Sequence, residues 1–390
     1  MSSRDNATHP GLAGGPVYLD YNATTPVDPR VVEVVAPFWT RAFGNPSSEH
    51  AYGAEPRRAL AGARAQVAEF LGAREDEVVF TASGSEANLL ALRGAVLAAG
   101  ARLVVQATEH PAVLETAQAL ARLHGTRVTV LPVDHSGLVD PESLEDALRA
   151  DDGPAVVSIM AANNETGALQ PVAELAAIAH ERGAVVHCDA AQACGKIPVD
   201  VTRLGVDLLT VVGHKMYAPR GAAALFVRRG VPLEPVVYGG GQERGLRAGT
   251  ENVALAVALG KAAQLAKELG AERISALRDD LHHRLAAVLP VRVNGPAERL
   301  PNTLNLSIDG VRGHELLAAC PEIAASTGSA CHSGVHSPSP VLTAMGVPPE
   351  RALGAIRLSL GRFTTAGDVD VAAAALIAAH RSLPASSQAR

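Results

Sequence analysis

Lys215 is the residue of this chain whose type and position most clearly suggest covalent chemistry. The chain has only four lysines, and this one follows the apolar run DLLTVV (207–212) after a Gly-His step. An ammonium group beside a buried strand is costly to desolvate, and a Schiff base with a carbonyl compound removes that charge. Lys261 and Lys267 fall on an amphipathic helical pattern and Lys196 opens a polar turn, so these three are predicted at the surface. Lys215 is therefore the predicted attachment point for a carbonyl cofactor.

Two side chains capable of acid–base chemistry follow other predicted strands. Asp189 ends the run AVVHCD (184–189), where a carboxylate needs a positive partner such as a protonated pyridine nitrogen. His110 follows the run LVVQ (103–106), where an imidazole could stack on a ring and move protons near neutral pH. A helix-capping aspartate and a structural histidine are the alternatives. Because ligands of open α/β sheets bind beyond the carboxyl ends of the strands, we expect both side chains near Lys215.

Three polar segments could supply further binding groups. In FTASGSEAN (80–88) a strand runs through a Gly/Ser turn into a helix, which predicts either an anion cradle or an ordinary capped helix start. Asn163 and Asn164 follow the next strand in SIMAANNETGALQP (158–171), where a simple turn is the alternative. The glycine-rich YGGGQERGLRAGTEN (238–252), which includes Thr250, suits close approach to a ligand or another subunit.

Cys331 is the candidate nucleophile among the four cysteines. It lies in the Ser/Gly/Pro-rich segment 325–340, where the nearby His332 and His336 could favour its thiolate. The cysteines are too few for a disulfide framework, and their spacing predicts no metal site. Arg357, in AIRLSLGRF, could bind a substrate carboxylate through its two parallel donors or form a surface ion pair.

The hydrophobic pattern predicts the elements that position these residues. Continuous apolar runs between residues 78 and 228 alternate with helical patterns, which favours an α/β doubly wound fold with a mostly parallel sheet covered on both faces. After residue 260, long helical patterns lead into a smaller α+β region. The predicted organisation is a tail (1–16), a segment joining the small domain (17–29), a large domain (30–262), a small domain carrying Cys331 (263–382) and a second tail (383–390).

The composition limits the classes of protein that are possible. With 47% hydrophobic and 19% charged residues the chain is predicted to be globular and soluble, and a net charge of −6 without a basic run argues against nucleic-acid binding. The polar N-terminus predicts no secretory signal, and no apolar stretch is long enough for a bilayer. A cytoplasmic location without membrane attachment is therefore expected.

The motifs together resemble one enzyme family. YLDYNATTPVDPRV, TEHPAV, NNETG, DAAQACGK, GHKMYAPRG, GGGQERGLRAGTEN, SACHS and IRLSLGRFTT are similar, in this order from about residue 17 to about 370, to the cysteine desulfurases. These are pyridoxal-phosphate (PLP) enzymes of fold type I, in the class-V aminotransferase group, and selenocysteine lyases share much of the pattern. The resemblance implies a homodimer with its site at the subunit interface, and a small domain that includes the segment near 17–29.

Family knowledge implies the roles of the matching residues. The cofactor would be held by Gly84, Ser85, His110, Asn164, Asp189, Gln192, His214, Lys215 and, from the partner subunit, Thr250. Lys215 would bind the cofactor and move protons on the substrate carbon, with Asp189 on the ring nitrogen and His110 stacked on the ring. Arg357 and Asn164 would bind the substrate, L-cysteine or L-selenocysteine. Cys331 would take the sulfur as a persulfide, leave alanine, and pass the sulfur to an acceptor such as an iron–sulfur scaffold.

One departure from the family pattern keeps the substrate open. Many desulfurases carry a serine where this chain has Val212, so one hydroxyl contact to the phosphate is absent, and selenocysteine lyases are similar to this chain there. The length of chain from Cys331 to Val341 instead resembles desulfurases with a long loop. An aminotransferase and a non-catalytic sulfur-assembly partner are more distant alternatives.

Overall fold

The computed structural model describes residues 9–328 and 337–383. The predicted nucleophile Cys331 lies outside the described residues, as do His332 and His336. Both chain ends beyond these limits are likewise left out of the description.

A seven-stranded sheet forms the larger part of the molecule. Its strands are β2 (Val78–Thr81), β3 (Arg102–Gln106), β4 (Val128–Leu131), β5 (Ala155–Met160), β6 (Val185–Asp189), β7 (Leu208–Val212) and β8 (Ala223–Val227). They are ordered β2-β8-β7-β6-β5-β3-β4, and β8 alone runs antiparallel to its neighbours. The predicted α/β fold with a mostly parallel sheet is confirmed.

Helices cover both faces of this sheet. They are α1 (Pro29–Thr40), α2 (Ala51–Leu71), α3 (Gly84–Ala99), α4 (Pro111–His124), α5 (Pro141–Arg149), α6 (Val172–Glu181), α7 (Val201–Leu204) and α8 (Val253–Leu265). Successive strand residues point to opposite faces, so Leu103 and Val105 pack in one apolar cluster with α3 and α4. Val104 packs in the other, with α5 and α6. Burial on both faces explains why these strands are continuously apolar.

The C-terminal part builds a separate three-stranded antiparallel sheet. The elements of this C-terminal part are α9 (Ala271–Ala286), β9 (Val291–Val293), β10 (Thr303–Ile308), α10 (Gly313–Ala318), β11 (Ile323–Ala324), α11 (Pro340–Ala344), α12 (Pro349–Leu353), β12 (Ala355–Ser359) and α13 (Ala366–Ser382). The sheet order is β12-β10-β9, and α9 and α13 bury Leu281 and Leu376 against it.

The N-terminal segment joins this C-terminal region. Strand β1 (Val17–Tyr18) pairs in parallel with β11, and Asp20 bridges to Ser359. Leu19 is fully buried in the C-terminal core. These contacts join residues 17–20 to the C-terminal region, and the domain limits given above stay a prediction. Within the described ranges, no helix is long and apolar enough to cross a membrane.

Candidate active site

A cavity of about 430 Å³ lies at the carboxyl ends of the parallel strands. Nine predicted site residues line it: Gly84, Ser85, His110, Asn164, Asp189, Gln192, His214, Lys215 and Arg357. Parallel strands end at the same edge of a sheet, so side chains that follow them converge there. The structure therefore brings together residues that are up to 273 positions apart in the chain, from Gly84 to Arg357.

Lys215 projects from the turn that follows β7. Its Nζ donates to the main-chain oxygens of Asn22, at 2.6 Å, and Ala23, at 2.8 Å. Burial, and secondly the cation of Arg357, lower its pKa to about 8, against the opposing effect of nearby carboxylates. A much larger fraction of this amine is neutral at pH 7 than for an ordinary lysine, which suits a nucleophile.

Asp189 is the last residue of β6 and only 5% exposed. Its Oδ2 accepts from Asn88 Nδ2 at 2.8 Å, and its Oδ1 accepts from the Ala191 main-chain N–H at 2.9 Å. The second bond is the capping contact considered as the alternative, here in a turn. It does not neutralise the carboxylate, which pairs with no cation among the described residues. A cationic ring nitrogen in the cavity would supply that missing charge. Asn88, which the sequence did not single out, orients this carboxylate.

His110 caps the N-terminus of α4 and lines the cavity. Its Nδ1 accepts from the Ala112 N–H at 3.0 Å, so the neutral ring carries its proton on Nε2. Burial, with a smaller effect of Lys215, lowers its pKa. The ring is therefore neutral at pH 7, as a histidine that stacks on a cofactor ring requires.

A buried polar chain beneath His110 was not predicted. Burial, and next the charge of Asp189, raise the pKa of Glu109 well above its usual value, which favours the protonated form of this carboxyl. Ser158 Oγ donates to Glu109 Oε1 at 2.8 Å and lies 2.9 Å from His187 Nδ1. No hydrophobic pattern reveals such a chain, because each member occupies an ordinary strand or turn position.

The start of α3 can bind an anion. The first helical amides, at Gly84 and Ser85, face the cavity, and Ser83 Oγ caps the helix by accepting from the Glu86 N–H at 3.1 Å. A Cβ on Gly84 would lie 2.6 Å from Val212 Cγ2, so this close approach needs glycine. The His214 ring lies beside this end of the cavity, with Nδ1 3.1 Å from Thr24 Oγ1. Amides, a hydroxyl and an imidazole are suitable donors for a phosphate.

Arg357 brings the C-terminal region into the site. It lies on β12, its side chain is 4% exposed, and its NH2 pairs with Asp20 Oδ1 at 2.6 Å. Its NH1 donates to the Asn164 main-chain oxygen at 3.2 Å. The ion pair considered as the alternative therefore exists, but it lies in the cavity wall instead of on the surface. Asp20 was not predicted, because nothing in its sequence neighbourhood points to a partner 337 residues away.

The expectation that Lys196 is exposed is wrong. Its residue is 6% exposed, and its Nζ donates to Asn22 Oδ1 at 3.1 Å and to Gln192 Oε1. Gln192 in turn donates from Nε2 to the Asn22 main-chain oxygen at 2.9 Å. The polar turn after β6 folds back under the cavity, where the distant Asn22 supplies the partners that the local sequence lacks.

Two predicted site residues do not line the cavity within the described chain. Thr250 is exposed and lines a different depression with Phe80 and Arg247, so its predicted role depends on a second subunit. Cys331 falls outside the described residues. Before the gap in the description, Gly328 lines the cavity; after it, Ser339 Oγ donates at 2.6 Å to Oε2 of Glu165, the neighbour of the cavity-lining Asn164.

The site combines an amine, an unpaired buried carboxylate, a neutral histidine and an anion-binding helix start in one cavity on a mostly parallel sheet. This combination fits pyridoxal phosphate, which has an aldehyde, a ring nitrogen and a phosphate at three corners of one ring. Fold and site define a PLP-dependent enzyme of fold type I.

The chain belongs to the class-V aminotransferase family, whose profile matches residues 17–371. It is 44% identical to a cysteine desulfurase IscS from Dictyoglomus turgidum over 91% of this chain and 92% of that protein. It is 46% identical to a cysteine desulfurase IscS from Anaeromyxobacter dehalogenans, over 92% and 90%. A solved NifS-like protein has a TM-score of 0.87 at 36% identity, covering 94% of this chain and all of that chain. The predicted family and its pyridoxal-phosphate dependence are confirmed.

Proposed function

We propose that this protein is a cysteine desulfurase, which converts L-cysteine to L-alanine and transfers the sulfur to Cys331 as a persulfide. The relatives named cysteine desulfurase, which match nine-tenths of the chain, support this activity. A further solved relative, SspA in complex with cysteine, is 33% identical with a TM-score of 0.78. The single structural observation that carries the proposal is the convergence of Lys215, Asp189 and Arg357 on one cavity.

The residues of the cavity would hold pyridoxal phosphate at three points. Lys215 Nζ would bond its aldehyde carbon, Asp189 would face its ring nitrogen, and Gly84, Ser85 and His214 would bind its phosphate. His110 would stack on the ring and Gln192 would contact the ring hydroxyl. When bound, the protonated ring withdraws electrons from the substrate carbon and makes its proton acidic.

Substrate binding would use the other wall of the cavity. Arg357 lines the cavity, and the second hydrogens of its NH1 and NH2, beyond those that bond the Asn164 oxygen and Asp20, would bind the cysteine carboxylate beside Asn164. Asp20 Oδ1 pairs with the buried guanidinium at 2.6 Å and balances its charge. The pKa of Lys215, lowered to about 8 by burial and by Arg357, then lets this amine take a proton from the substrate carbon and return one near neutral pH.

Sulfur transfer is assigned to Cys331. Its thiolate would attack the substrate sulfur, the bond from carbon to sulfur would break, and the electron pair would stay on carbon, which takes a proton and becomes the methyl group of alanine. The position of Gly328 supports this role, because this residue lies three positions before Cys331 and lines the cavity. Leaving the site with the persulfide would let Cys331 meet an acceptor protein, such as an iron–sulfur scaffold.

A homodimer in the cytoplasm is part of the same proposal. Trp39, Phe43 and Tyr52 are more than 60% exposed and lie close together in the chain around the start of α2, with Phe43 and Tyr52 rings 5.6 Å apart. A cluster of large apolar side chains at the surface is typical of an interface with a second copy. Such a dimer would let Thr250 of the partner subunit approach the phosphate end of the cavity.

The test measures alanine together with sulfide or selenide, from L-cysteine and from L-selenocysteine, with and without a reductant. Wild-type protein should form alanine from L-cysteine and release sulfide when the reductant cleaves the persulfide. Cys331→Ala should keep the visible cofactor band but lose alanine formation, whereas Cys320→Ala, in the C-terminal core, should keep both. A keto acid product, with Cys331→Ser as active as wild type, would contradict the proposal and indicate an aminotransferase. Turnover of L-selenocysteine alone would instead assign a selenocysteine lyase.

A further inference from the structure

Lys196 is a buried amine without an anionic partner among the described residues. Its Nζ contacts two amide oxygens, of Gln192 and Asn22, and the charges that act on it most strongly are the cations Lys215 and Arg357. Burial, assisted by these cations, lowers its pKa well below the usual value for lysine. Burying an amine in this way costs stability, and groups with such costs concentrate at functional sites.

The hydrogen bonds around Lys196 fix the orientation of Gln192. A main-chain carbonyl can only accept, so the Gln192 amide must turn its Nε2 towards the Asn22 oxygen, 2.9 Å away. The Gln192 Oε1 must then face away, where Lys196 Nζ donates to it. An amide nitrogen has two hydrogens, and Gln192 lines the cavity, so the second N–H is available to a ligand there.

The same contacts fix Asn22. Its Nδ2 donates to the Asn164 main-chain oxygen at 3.1 Å and to Thr303 Oγ1 at 2.8 Å. Its Oδ1 therefore faces Asn302 Nδ2, at 2.9 Å, and Lys196 Nζ, at 3.1 Å. Asn22 is 1% exposed, so these partners replace water completely.

Asn22 also contacts the reactive amine of Lys215. Its main-chain oxygen accepts both from Gln192 Nε2 and from Lys215 Nζ, at 2.6 Å. Lys196 thus touches Asn22, one of the two residues whose main-chain oxygens hold Lys215, and Gln192, whose amide offers a donor from this wall. Lys196 itself does not line the cavity that contains Lys215. It lines a separate cavity of about 520 Å³.

We propose that Lys196 is a positioning residue, which directs the Gln192 N–H towards the ring oxygen of the cofactor and holds the Asn22 carbonyl on Lys215. The inference rests on the proposed function, since it assigns a role in cofactor binding. A ring oxygen that accepts a hydrogen bond from Gln192 would attract the proton on the nitrogen of Lys215 less strongly. Losing the Gln192 donor should therefore raise the pKa at which the bound cofactor changes colour.

The test compares Lys196→Met, Gln192→Leu and the double variant. The readouts are the dissociation constant of pyridoxal phosphate for the apoprotein, the pH midpoint of the visible band of the holoprotein, and thermal unfolding. Lys196→Met should raise the midpoint by roughly one pH unit, because the oriented Gln192 donor that favours the deprotonated form is lost. It should weaken cofactor binding about tenfold, the size of one well-placed hydrogen bond. Lys267→Met, on the exposed side chain that pairs with Glu69, is the matched control and should change neither.

The double variant decides whether Lys196 acts through Gln192. Two residues that act as one unit are non-additive, so Lys196→Met should add less than about a twofold effect in the Gln192→Leu background. Additive effects, or an unchanged midpoint and dissociation constant in folded Lys196→Met, would overturn the inference.

Should Lys196→Met not fold, Lys196→Gln is the second variant, because its amide keeps a donor for Gln192 Oε1 and Asn22 Oδ1. If only the orientation of Gln192 matters, the midpoint of this variant should equal that of the wild type. A midpoint shifted as far as in Gln192→Leu would overturn it. Wild-type protein that takes up no pyridoxal phosphate would instead refute the proposed function itself.

Discussion

The turn after β6 and the turn after β7 each carry one lysine beside Asn22, and the two lysines are used differently. Lys215 Nζ is held by two main-chain oxygens and lines the cavity. Lys196 Nζ is held by two side-chain oxygens and faces away from that cavity. Both amines are buried, so burial alone does not identify the reactive lysine. What distinguishes Lys215 is that it lines the cavity at the carboxyl ends of the strands. The proposed cofactor contacts follow the same division, with Asp189 at the end of β6, Gln192 in the turn after it and His214 in the turn after β7.

Replacing the two lysines should give the largest contrast. Lys215→Ala should lower alanine formation from L-cysteine by about a thousandfold or more, since both the covalent attachment and the proton transfer are lost. Lys196→Met should lose far less, because Lys196 contacts neither substrate nor cofactor. The measurement is the initial rate of alanine formation at saturating cofactor. Equal losses in the two variants would break the comparison.

Asp189→Asn tests the anionic contribution of the β6 turn. The amide keeps a similar shape but cannot balance a ring nitrogen charge, so the rate should fall by roughly a hundredfold to a thousandfold. Thermal unfolding of the apoprotein checks that the fold survives. Asp309→Asn, on an exposed pair with Arg292, serves as the control and should keep the wild-type rate. A wild-type rate in Asp189→Asn would mean that the cofactor ring lies elsewhere.

Arg357→Lys tests the wall opposite the two turns. Lysine keeps the charge but loses the two parallel donors, so the KM for L-cysteine should rise about tenfold, with a smaller change in kcat. Steady-state kinetics on this variant and on Arg312→Lys, an exposed arginine, separate the effects. A change in kcat alone would show that Arg357 does not bind the substrate carboxylate.

The pH dependence of cofactor uptake should show the smallest effect. Burial and Arg357 lower the pKa of Lys215 from 10.5 to about 8, so the neutral amine increases with pH up to that value. The rate of pyridoxal phosphate incorporation into the apoprotein should rise about tenfold from pH 6 to 7 and level off above about pH 8. Stopped-flow absorbance measures it. A rate that keeps climbing tenfold per unit towards pH 10 would indicate an ordinary exposed lysine.

The sequence predicted the sheet side of the site well for a physical reason. Buried parallel strands are continuously apolar, so the polar residues that end them, such as Asp189 and His110, stand out in the chain. Their convergence follows from strand direction alone. The roles of individual residues, and the link between segment 17–29 and the C-terminal region, came from the family resemblance.

The remaining features depend on contacts between distant segments. Lys196 was misjudged because its turn is polar, while its partner Asn22 comes from 174 residues earlier in the chain. Asp20 and Glu109 likewise gain their importance from Arg357 and Asp189. The short strand β9 was missed because Val291–Val293 is incompletely buried and has no strong pattern.

Reduction of the holoprotein with borohydride, followed by peptide mass spectrometry, tests the central claim most directly, because it fixes the cofactor to the lysine that holds it. We predict a single pyridoxyl adduct on the peptide that contains Lys215. An adduct on Lys196 or another lysine, or none at all, would contradict this account.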